Sequence, residues 1–227
     1  MLSPSLSVRR AAEATVALAA LLPVTIVILN LVQLGHYNPA ADAISLLALG
    51  RGGIALNVAF IASGAASFLG AWVMRRTVAR AVAGPLLLGF FGCTSVVSGL
   101  VDTNPDNAPA TTASQVHQLA GILGFLAVIA AMFVFARRFR SDPAWRAYAR
   151  PTLLWAIAAT LTFLAVPAAP SSLFGVAQYA HVATLMSWLL VTTIRARSLT
   201  APHVPAAHEF HYPGLDQDAT LKTIGDA

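Results

Sequence analysis

The sequence predicts an all-α fold, a polytopic transmembrane helix bundle of six spans with both termini cytoplasmic. Three observations support this prediction: the composition, the number of apolar segments of spanning length, and the positions of the arginines between them. Of the 227 residues, 57% are hydrophobic and only 10% are charged, whereas soluble domains carry about 25% charged residues. A water-exposed surface needs more charge than this chain carries, so lipid is the expected solvent.

Six segments are long and apolar enough to cross a bilayer, whose core of about 30 Å requires roughly 20 helical residues. The first follows Arg9 and Arg10 and is longer than the apolar region of a signal peptide, so we expect it to be retained. The third carries Pro85 in its first turn, where proline is tolerated, and the fifth is the shortest, with Pro167 near its end. The predicted spans are residues 11–34, 53–74, 81–101, 116–136, 152–169 and 174–194.

The arginines orient these spans, because short cytoplasmic loops retain Lys and Arg. Basic residues precede span one, occupy the loops after spans two and four, and follow span six. Of the 14 basic residues, Arg51 alone falls in a loop on the other side. Both termini are therefore placed inside, since a missing or additional span would break this alternation. The loop 137–150, with Trp145 and Tyr148, is expected to anchor at the interface against anionic lipid.

The chain divides into three regions. A cytoplasmic N-terminus at residues 1–10 precedes the transmembrane domain at 11–197, and a cytoplasmic tail at 198–227 loses apolar periodicity and is expected to be disordered. In the outer loop 35–52, a short interfacial helix is predicted at 41–49.

Small residues predict where the helices pack, because helices in lipid associate through close backbone approach. Span three carries Gly92 and Gly99 near one face, span two carries Gly64, and span four carries Gly121 and Gly124. We therefore expect span three near the centre of the bundle.

The strongly polar residues of the spans lie mostly at their outer ends. Polar groups in hydrocarbon need partners or water, so we predict an outward-facing polar pocket. The residues that suggest it are His36, Asn57, Asp102, His117, Gln178 and His181, with Asn30 and Gln33 in span one.

Some of these side chains are of the types that bind zinc, which uses imidazole and carboxylate ligands with an open position for a reactive water. Asp102, His117 and His181 are the candidate metal ligands, with His36 or Asp106 assisting. They come from separate segments and form no short ligand motif. The alternative is that they hydrogen-bond to one another and close the outer loops over the bundle.

The first outer loop and the start of span two read Gly-His-Tyr-Asn-Pro-Ala-Ala-Asp-Ala-Ile-Ser-Leu-Leu-Ala-Leu-Gly-Arg-Gly-Gly at residues 35–53. This segment resembles the signature of the domain of unknown function 998 family of bacterial and archaeal membrane proteins. The resemblance covers roughly residues 10–195 and implies a six-helix integral membrane bundle, without implying an activity. Further matching residues are Asp102, Pro105, His117, Gly175 and Gln178.

The resemblance adds four residues of the first outer loop to the candidate outer cluster. They are Tyr37, Asp42, Ser45 and Arg51. Asp42 is expected to cap the loop helix, with Ser45 on its first turn, and Arg51 is expected to pair with Asp102 or Asp106. Family members usually carry a basic residue after the glutamine of the sixth span, whereas this chain has Tyr179.

These features favour a non-enzymatic membrane protein whose outer pocket binds a lipid or a small molecule. One alternative is a metal-dependent, membrane-embedded hydrolase that uses zinc. The other is a small-molecule transporter, for which interrupted spans and polar groups at the midplane are expected. The basic residues lie between apolar segments, so the expected partner is the lipid bilayer and not nucleic acid. Arginine outnumbers lysine thirteen to one, which is typical of GC-rich bacterial genomes and suggests a bacterial plasma membrane. The sequence leaves enzymatic activity and oligomeric state open.

Overall fold

The computed structural model describes residues 4–105 and 108–200. Over these residues the chain is all-helical, without a strand, and six helices are long and apolar enough to cross a membrane. They are α1 (Pro4–Val32), α2 (Ile54–Thr77), α3 (Ala83–Leu100), α4 (Thr112–Arg140), α5 (Ala149–Ala168) and α6 (Phe174–Ser198). The predicted all-α class and the six spans are confirmed. The predicted tail lies outside the described residues from 201 onward.

The helices extend beyond the predicted spans, chiefly at the arginine-rich end of the bundle. Helix α4 continues to Arg140 and α6 to Ser198, while α1 already begins at Pro4. Arginine is a good helix former, and near a helix C-terminus it interacts favourably with the free carbonyl groups. Hydropathy therefore locates the membrane-buried part of each helix and underestimates its full length.

The six helices form a ring in which each packs against its neighbours in the chain and α6 closes against α1. Helix α2 contacts α1 and α3 and also reaches α6, whereas α3 packs chiefly against α2 and α4. Helix α2 therefore contacts more of the other helices, but α3 is the more deeply buried of the two, at 50% against 39%, so the central position of the third span stays a prediction.

Glycines bring α2 and α3 together along their backbones. A Cβ atom added to Gly64 would lie 2.7 Å from the Gly92 carbonyl oxygen, and one added to Gly92 would lie 2.9 Å from the Gly64 carbonyl oxygen. Gly124 of α4 packs against the side chain of Thr94 of α3. The packing predicted for these glycines is confirmed, but Gly121 is different, because a Cβ there would meet nothing within 4 Å.

At the arginine-rich end, the buried Asp142 connects the α2–α3 turn to the α4–α5 loop. Its carboxylate accepts hydrogen bonds from the backbone N–H groups of Ala79, at 2.9 Å, and Ala144, at 3.1 Å. Trp145 donates from Nε1 to the Thr77 carbonyl at 3.0 Å and is fully buried. The predicted contact of Trp145 with lipid is wrong, because the protein itself encloses the indole ring.

The opposite end, which we call the distal end, carries the α1–α2, α3–α4 and α5–α6 connections. The α1–α2 loop contains the 3₁₀ helix Ile44–Leu49, which is shorter than predicted and which we call the loop helix. Gln33 at the distal end of α1 donates from Nε2 to the carbonyls of Leu47, at 2.9 Å, and Arg51, at 3.1 Å. Gly52 has a φ of +75°, a conformation that favours glycine, just before α2 begins. The C-terminal end of the loop helix is thus fixed against α1.

Candidate functional site

A cavity of about 640 Å³ lies in the distal half of the bundle, and all six helices contribute to its wall. On α2 it reaches Ser63. That residue follows the start of the helix at Ile54 by roughly 14 Å, at 1.5 Å per residue. The volume falls within the range of about 300–1,000 Å³ that is typical of small-molecule sites. The cavity therefore reaches deep into the membrane-spanning region.

The wall of the cavity is mainly apolar, and the described residues that form it carry no carboxylate, ammonium or guanidinium group. Its aromatic part includes Phe60, Phe91, Phe125 and Phe163. None of the described residues that line it is Asp, Glu, Lys or Arg, and its polar groups are hydroxyls, amides and the imidazole of His117. The distal end therefore contains an apolar cavity with a few neutral polar groups, in place of the predicted convergence of charged and polar side chains.

Ser63 brings an unused hydroxyl to the deep part of the cavity. The residue is 1% exposed, and its Oγ has no hydrogen-bond partner. In contrast, the hydroxyls of Thr94 and Ser95 on α3 both donate to the Phe91 carbonyl at 2.9 Å. A buried polar group without a partner costs about 1–3 kcal/mol. Ser63 is therefore a buried lining residue whose hydrogen-bonding capacity is unused.

His117 also lines the cavity, with one ring nitrogen held by the backbone. Nδ1 lies 2.9 Å from the Val101 carbonyl oxygen, and because a carbonyl only accepts, Nδ1 carries the proton. In the neutral ring, Nε2 then has a lone pair that accepts a hydrogen bond. The Phe60 ring stands nearly perpendicular to the imidazole, with 6.2 Å between the ring centroids. His117 therefore offers the cavity an acceptor in a fixed orientation.

Gln178 joins the cavity wall on α6 to the loop helix. Its Oε1 accepts a hydrogen bond of 2.6 Å from the backbone N–H of Ile44, the first residue of the loop helix. The side-chain Nε2 keeps two N–H donors. Ser45, the next residue of the loop helix, lines the cavity beside Gln178.

Asp42 does not cap the loop helix, so that prediction is wrong. The capping position is Ala43, which makes no side-chain hydrogen bond to the helix. The Asp42 carboxylate accepts a hydrogen bond of 2.7 Å from the backbone N–H of Asn38 and closes the preceding turn. The first N–H of the loop helix is bonded instead by Gln178, from a different helix.

Two tyrosines extend the attachment of the α1–α2 loop. Asn30 on α1 donates from Nδ2 to the Tyr179 hydroxyl at 2.8 Å, and Tyr37 donates to the Asp42 carbonyl at 3.1 Å. The two hydroxyls lie 3.1 Å apart, and because both ends of this chain are fixed, Tyr179 donates to Tyr37. Burial, and then the hydrogen bond to Tyr179, raises the pKa of the Tyr37 phenol far above its usual value. Tyr37 therefore keeps its proton and remains a hydrogen-bond donor.

His181 lies behind the aromatic wall of the cavity and does not line it. It is fully buried, with Nδ1 3.0 Å from the Thr162 hydroxyl of α5. Its ring centroid lies 4.7 Å from that of Phe125 and 5.5 Å from that of Phe163. His181 thus positions two rings of the cavity wall and joins α6 to α4 and α5.

The remaining predicted site residues lie away from the cavity wall. His36, Arg51 and Asp102 are exposed at the distal end, and Asn57 is partly buried at the start of α2. Within residues 4–105 and 108–200, the ion pairs involve only Glu13 at the arginine-rich end, so the predicted pairing of Arg51 with Asp102 is wrong. An exposed pair at this position would gain little, because water screens both charges. Asp106 lies outside the described residues.

The structure does not bring the predicted zinc ligands together. Asp102 is exposed, His117 is bonded to the backbone of α3–α4, and His181 is enclosed by phenylalanine rings. No three His, Cys, Asp or Glu side chains in the described parts of the chain form a group that could hold a metal ion. These three residues have different neighbours, so the predicted metal site is not supported.

Sequence reasoning missed Ser63, Phe125 and Phe163. Ser63 precedes a packing glycine and was indistinguishable from the small residues that pack α2 against α3. One signal was available: Ser63 lies three residues from Phe60, on the same helical face. That spacing places a hydroxyl beside an aromatic ring but does not reveal a cavity between six helices.

A family described as protein of unknown function, DUF998, matches residues 16–195 of the chain. The chain belongs to this family. No significant match was found among curated proteins or among solved structures. The DUF998 match begins within α1 and ends within α6, so it includes the whole wall of the cavity.

The structure explains the sequence features that suggested the DUF998 family. A Cβ atom on Gly175 would lie 2.5 Å from the Pro39 carbonyl oxygen and 2.7 Å from that of Asp42, so the α1–α2 loop rests directly on the start of α6. Three residues further along α6, Gln178 bonds the loop helix. The Gly175-x-x-Gln178 motif therefore docks the loop that forms one side of the cavity.

Proposed function

We propose that this DUF998 protein binds an uncharged, mainly apolar ligand in the distal cavity. Ser63 is the observation that carries this proposal: its hydroxyl is buried and without a partner in the wall of a cavity of ligand size. A ligand with an apolar body and a hydrogen-bonding group gains both from contact with the apolar wall and from the bond to Ser63.

The absence of charge among the described lining residues supports an uncharged ligand. Moving an ionised group out of water without a counter-charge costs several kcal/mol even after relaxation. The wall offers an acceptor at His117 Nε2, donors at Gln178 Nε2 and a hydroxyl at Ser63. A hydroxyl or carbonyl group on the ligand complements this set.

The arginine pattern supports a location in a cell membrane, with the arginine-rich end cytoplasmic and the distal cavity directed outward. The excess of arginine over lysine supports a bacterial plasma membrane. In this orientation both termini are cytoplasmic, and the α3–α4 loop lies outside.

The two other functions considered have less support. A hydrolase that uses Asp102, His117 and His181 would need these side chains to converge, and each has a separate environment in the described structure. A transporter is favoured by interrupted helices near a midplane site, and each of the six helices is continuous. Binding without chemistry is the function that the cavity favours.

The proposal is tested with photoreactive lipids in vesicles. The neutral probe is a monoacylglycerol with a diazirine in its chain, and the charged probe is lysophosphatidic acid with the same chain. We expect the purified protein to capture about tenfold more of the neutral probe than of the charged probe, a ratio that corresponds to 1.4 kcal/mol.

Two substitutions on α2 separate cavity binding from general contact with lipid. Ser63→Leu removes the hydroxyl and places a larger apolar side chain in the cavity wall, so it should lower capture of the neutral probe. Val58→Leu is the matched control, because Val58 is 58% exposed and does not line the cavity. Equal capture of the two probes by the unmodified protein, or unchanged capture by a Ser63→Leu variant that retains its thermal stability, would contradict the proposal.

A further inference from the structure

Helix α5 is closely packed over its first half alone. Ala149, Thr152, Ala156 and Ala159 are buried along one face, but none of the residues 160–168 is buried. Helix α5 packs against α4 and α6. Helix α5 is therefore less closely packed against its neighbours toward the distal end, where it borders the cavity.

An aromatic pair bridges α4 and α5 at the level where the packing of α5 becomes less close. The rings of Phe125 and Phe163 meet edge to face, with 6.5 Å between centroids. The hydrogen bond between Thr162 and His181 keeps the same part of α5 attached to α6. Beyond this bridge, toward the distal end, α5 continues into its short connection to α6.

The α4 wall of the cavity is thin on the distal side of the bridge. Gly121 lines the cavity, has no side chain, and would have open space around a Cβ atom. Gly124, by contrast, is packed against Thr94 of α3. Gln118 and Ile122 line the cavity and are also exposed, Ile122 by 43%. The cavity therefore reaches the outer surface of the bundle beside Gly121.

Residues of α5 form the other side of this opening. Val166 and Pro167 line the cavity, and Pro167 is exposed. Proline has no N–H, so the Phe163 carbonyl lacks the donor that it would normally bond within the helix. We call this opening the α4–α5 portal; its residues are Gln118, Gly121, Ile122, Phe163, Val166 and Pro167.

The portal opens on the side of the bundle and at membrane depth. Gly121 lies nine residues from the start of α4, roughly 14 Å along the helix axis. Exposed residues of α4 at this level that do not line the cavity include Leu119, at 56%, and Leu126, at 46%. Apolar side chains at this depth contact lipid chains and not water.

We infer that the ligand is a neutral, single-chain amphiphile from the bilayer, and that it enters the cavity sideways through the α4–α5 portal. This inference rests on the proposed function and names the class and source of its ligand. The chain of such a lipid passes between Ile122 and Val166 without leaving an apolar environment. Its hydroxyl groups reach the acceptor on His117 and the hydroxyl of Ser63.

The rate of capture of the diazirine monoacylglycerol from vesicles tests the portal. Gly121→Trp places an indole in the portal, where a Cβ meets no neighbour within 4 Å, and we expect capture to slow by about tenfold, which corresponds to a barrier higher by 1.4 kcal/mol. Leu119→Trp makes the same kind of change on the lipid-facing side of α4 and should leave the rate unchanged. Val166→Trp obstructs the portal from α5 and should also slow capture.

A third position distinguishes the portal from the loop side of the cavity. Ala110 lines the cavity from the exposed α3–α4 loop, so Ala110→Trp narrows access from water. Lateral access is supported if both portal variants capture the probe more slowly at unchanged thermal stability and Ala110→Trp slows capture less. Unchanged rates in both portal variants, or slowing by Ala110→Trp that equals or exceeds theirs, would overturn lateral access while leaving the proposed binding function standing. Failure of the unmodified protein to capture the probe would instead contradict both lateral access and the proposed binding function.

Discussion

The hydroxyl groups of Tyr37 and Tyr179 lie 3.1 Å apart and join the α1–α2 loop to α6. Since Asn30 donates to Tyr179 and Tyr37 donates to the Asp42 carbonyl, every hydroxyl in this chain both donates and accepts. The loop that it fixes carries the loop helix, whose first residues form part of the cavity wall. Tyr179 occupies the position where resembling proteins usually carry a basic residue, and here it has a structural role.

Removing either hydroxyl should destabilise the protein through a shared set of bonds. Tyr37→Phe and Tyr179→Phe should each lower the free energy of unfolding by about 1 kcal/mol. The double variant should lose less than the sum, because the second substitution removes bonds already broken by the first. Thermal unfolding in detergent measures these changes, with Tyr148→Phe as a control at the arginine-rich end. Strictly additive losses would contradict the directional chain.

Gly175 should not tolerate a side chain. Gly175→Val places atoms against the Pro39 and Asp42 carbonyls, so the loop must move, at a cost of about 1–3 kcal/mol for overpacking. Gly121→Ala is the matched control, because nothing lies within 4 Å of a Cβ at that position. The melting temperatures of the two variants check this contrast. Equal melting temperatures would show that the loop does not rest on α6.

The sequence predicted the spans well because lipid imposes their length and excludes charge from them. It predicted the residues of the site poorly, since the rotation of each helix decides where a side chain points. Gln178 and His181 are three residues apart on α6, yet Gln178 lines the cavity and His181 lies behind Phe125. Ser45, His117 and Gln178 are the predicted residues that line it. Their partners come from other segments and could not be read from local spacing.

Substitutions of His117 distinguish its structural role from its proposed role in binding. His117→Asn keeps an N–H donor near the position of Nδ1 and so retains the bond to the Val101 carbonyl, but it removes the Nε2 acceptor. We expect its thermal stability to change little and its capture of the neutral probe to fall about tenfold, the loss of one hydrogen bond of roughly 1.4 kcal/mol. His117→Leu should lower both the thermal stability and the capture of the neutral probe. Unimpaired capture by His117→Asn would show that Nε2 does not contact the ligand.

The proposed orientation leads to a labelling experiment. In a Cys93→Ser background, a cysteine at Ala108 in the α3–α4 loop should react with an impermeant thiol reagent applied to intact cells. A reporter fused after Thr200 should be active in the cytoplasm, because the arginine-rich end is placed inside. The opposite pair of results would reverse the orientation and direct the cavity inward.

The central claim is that a neutral lipid occupies the distal cavity, and the position of the photochemical cross-link tests it most directly. Vesicle-embedded protein is irradiated with the diazirine monoacylglycerol, and the modified residues are identified by mass spectrometry. We predict modification of lining residues of α4 and α6, between 118 and 125 and between 178 and 186, with lysophosphatidic acid leaving them unmodified. Leu154 and Leu161 are lipid-facing residues of α5 that are 66% and 63% exposed. The claim would be contradicted if both probes modified such lipid-facing residues alone and to the same extent.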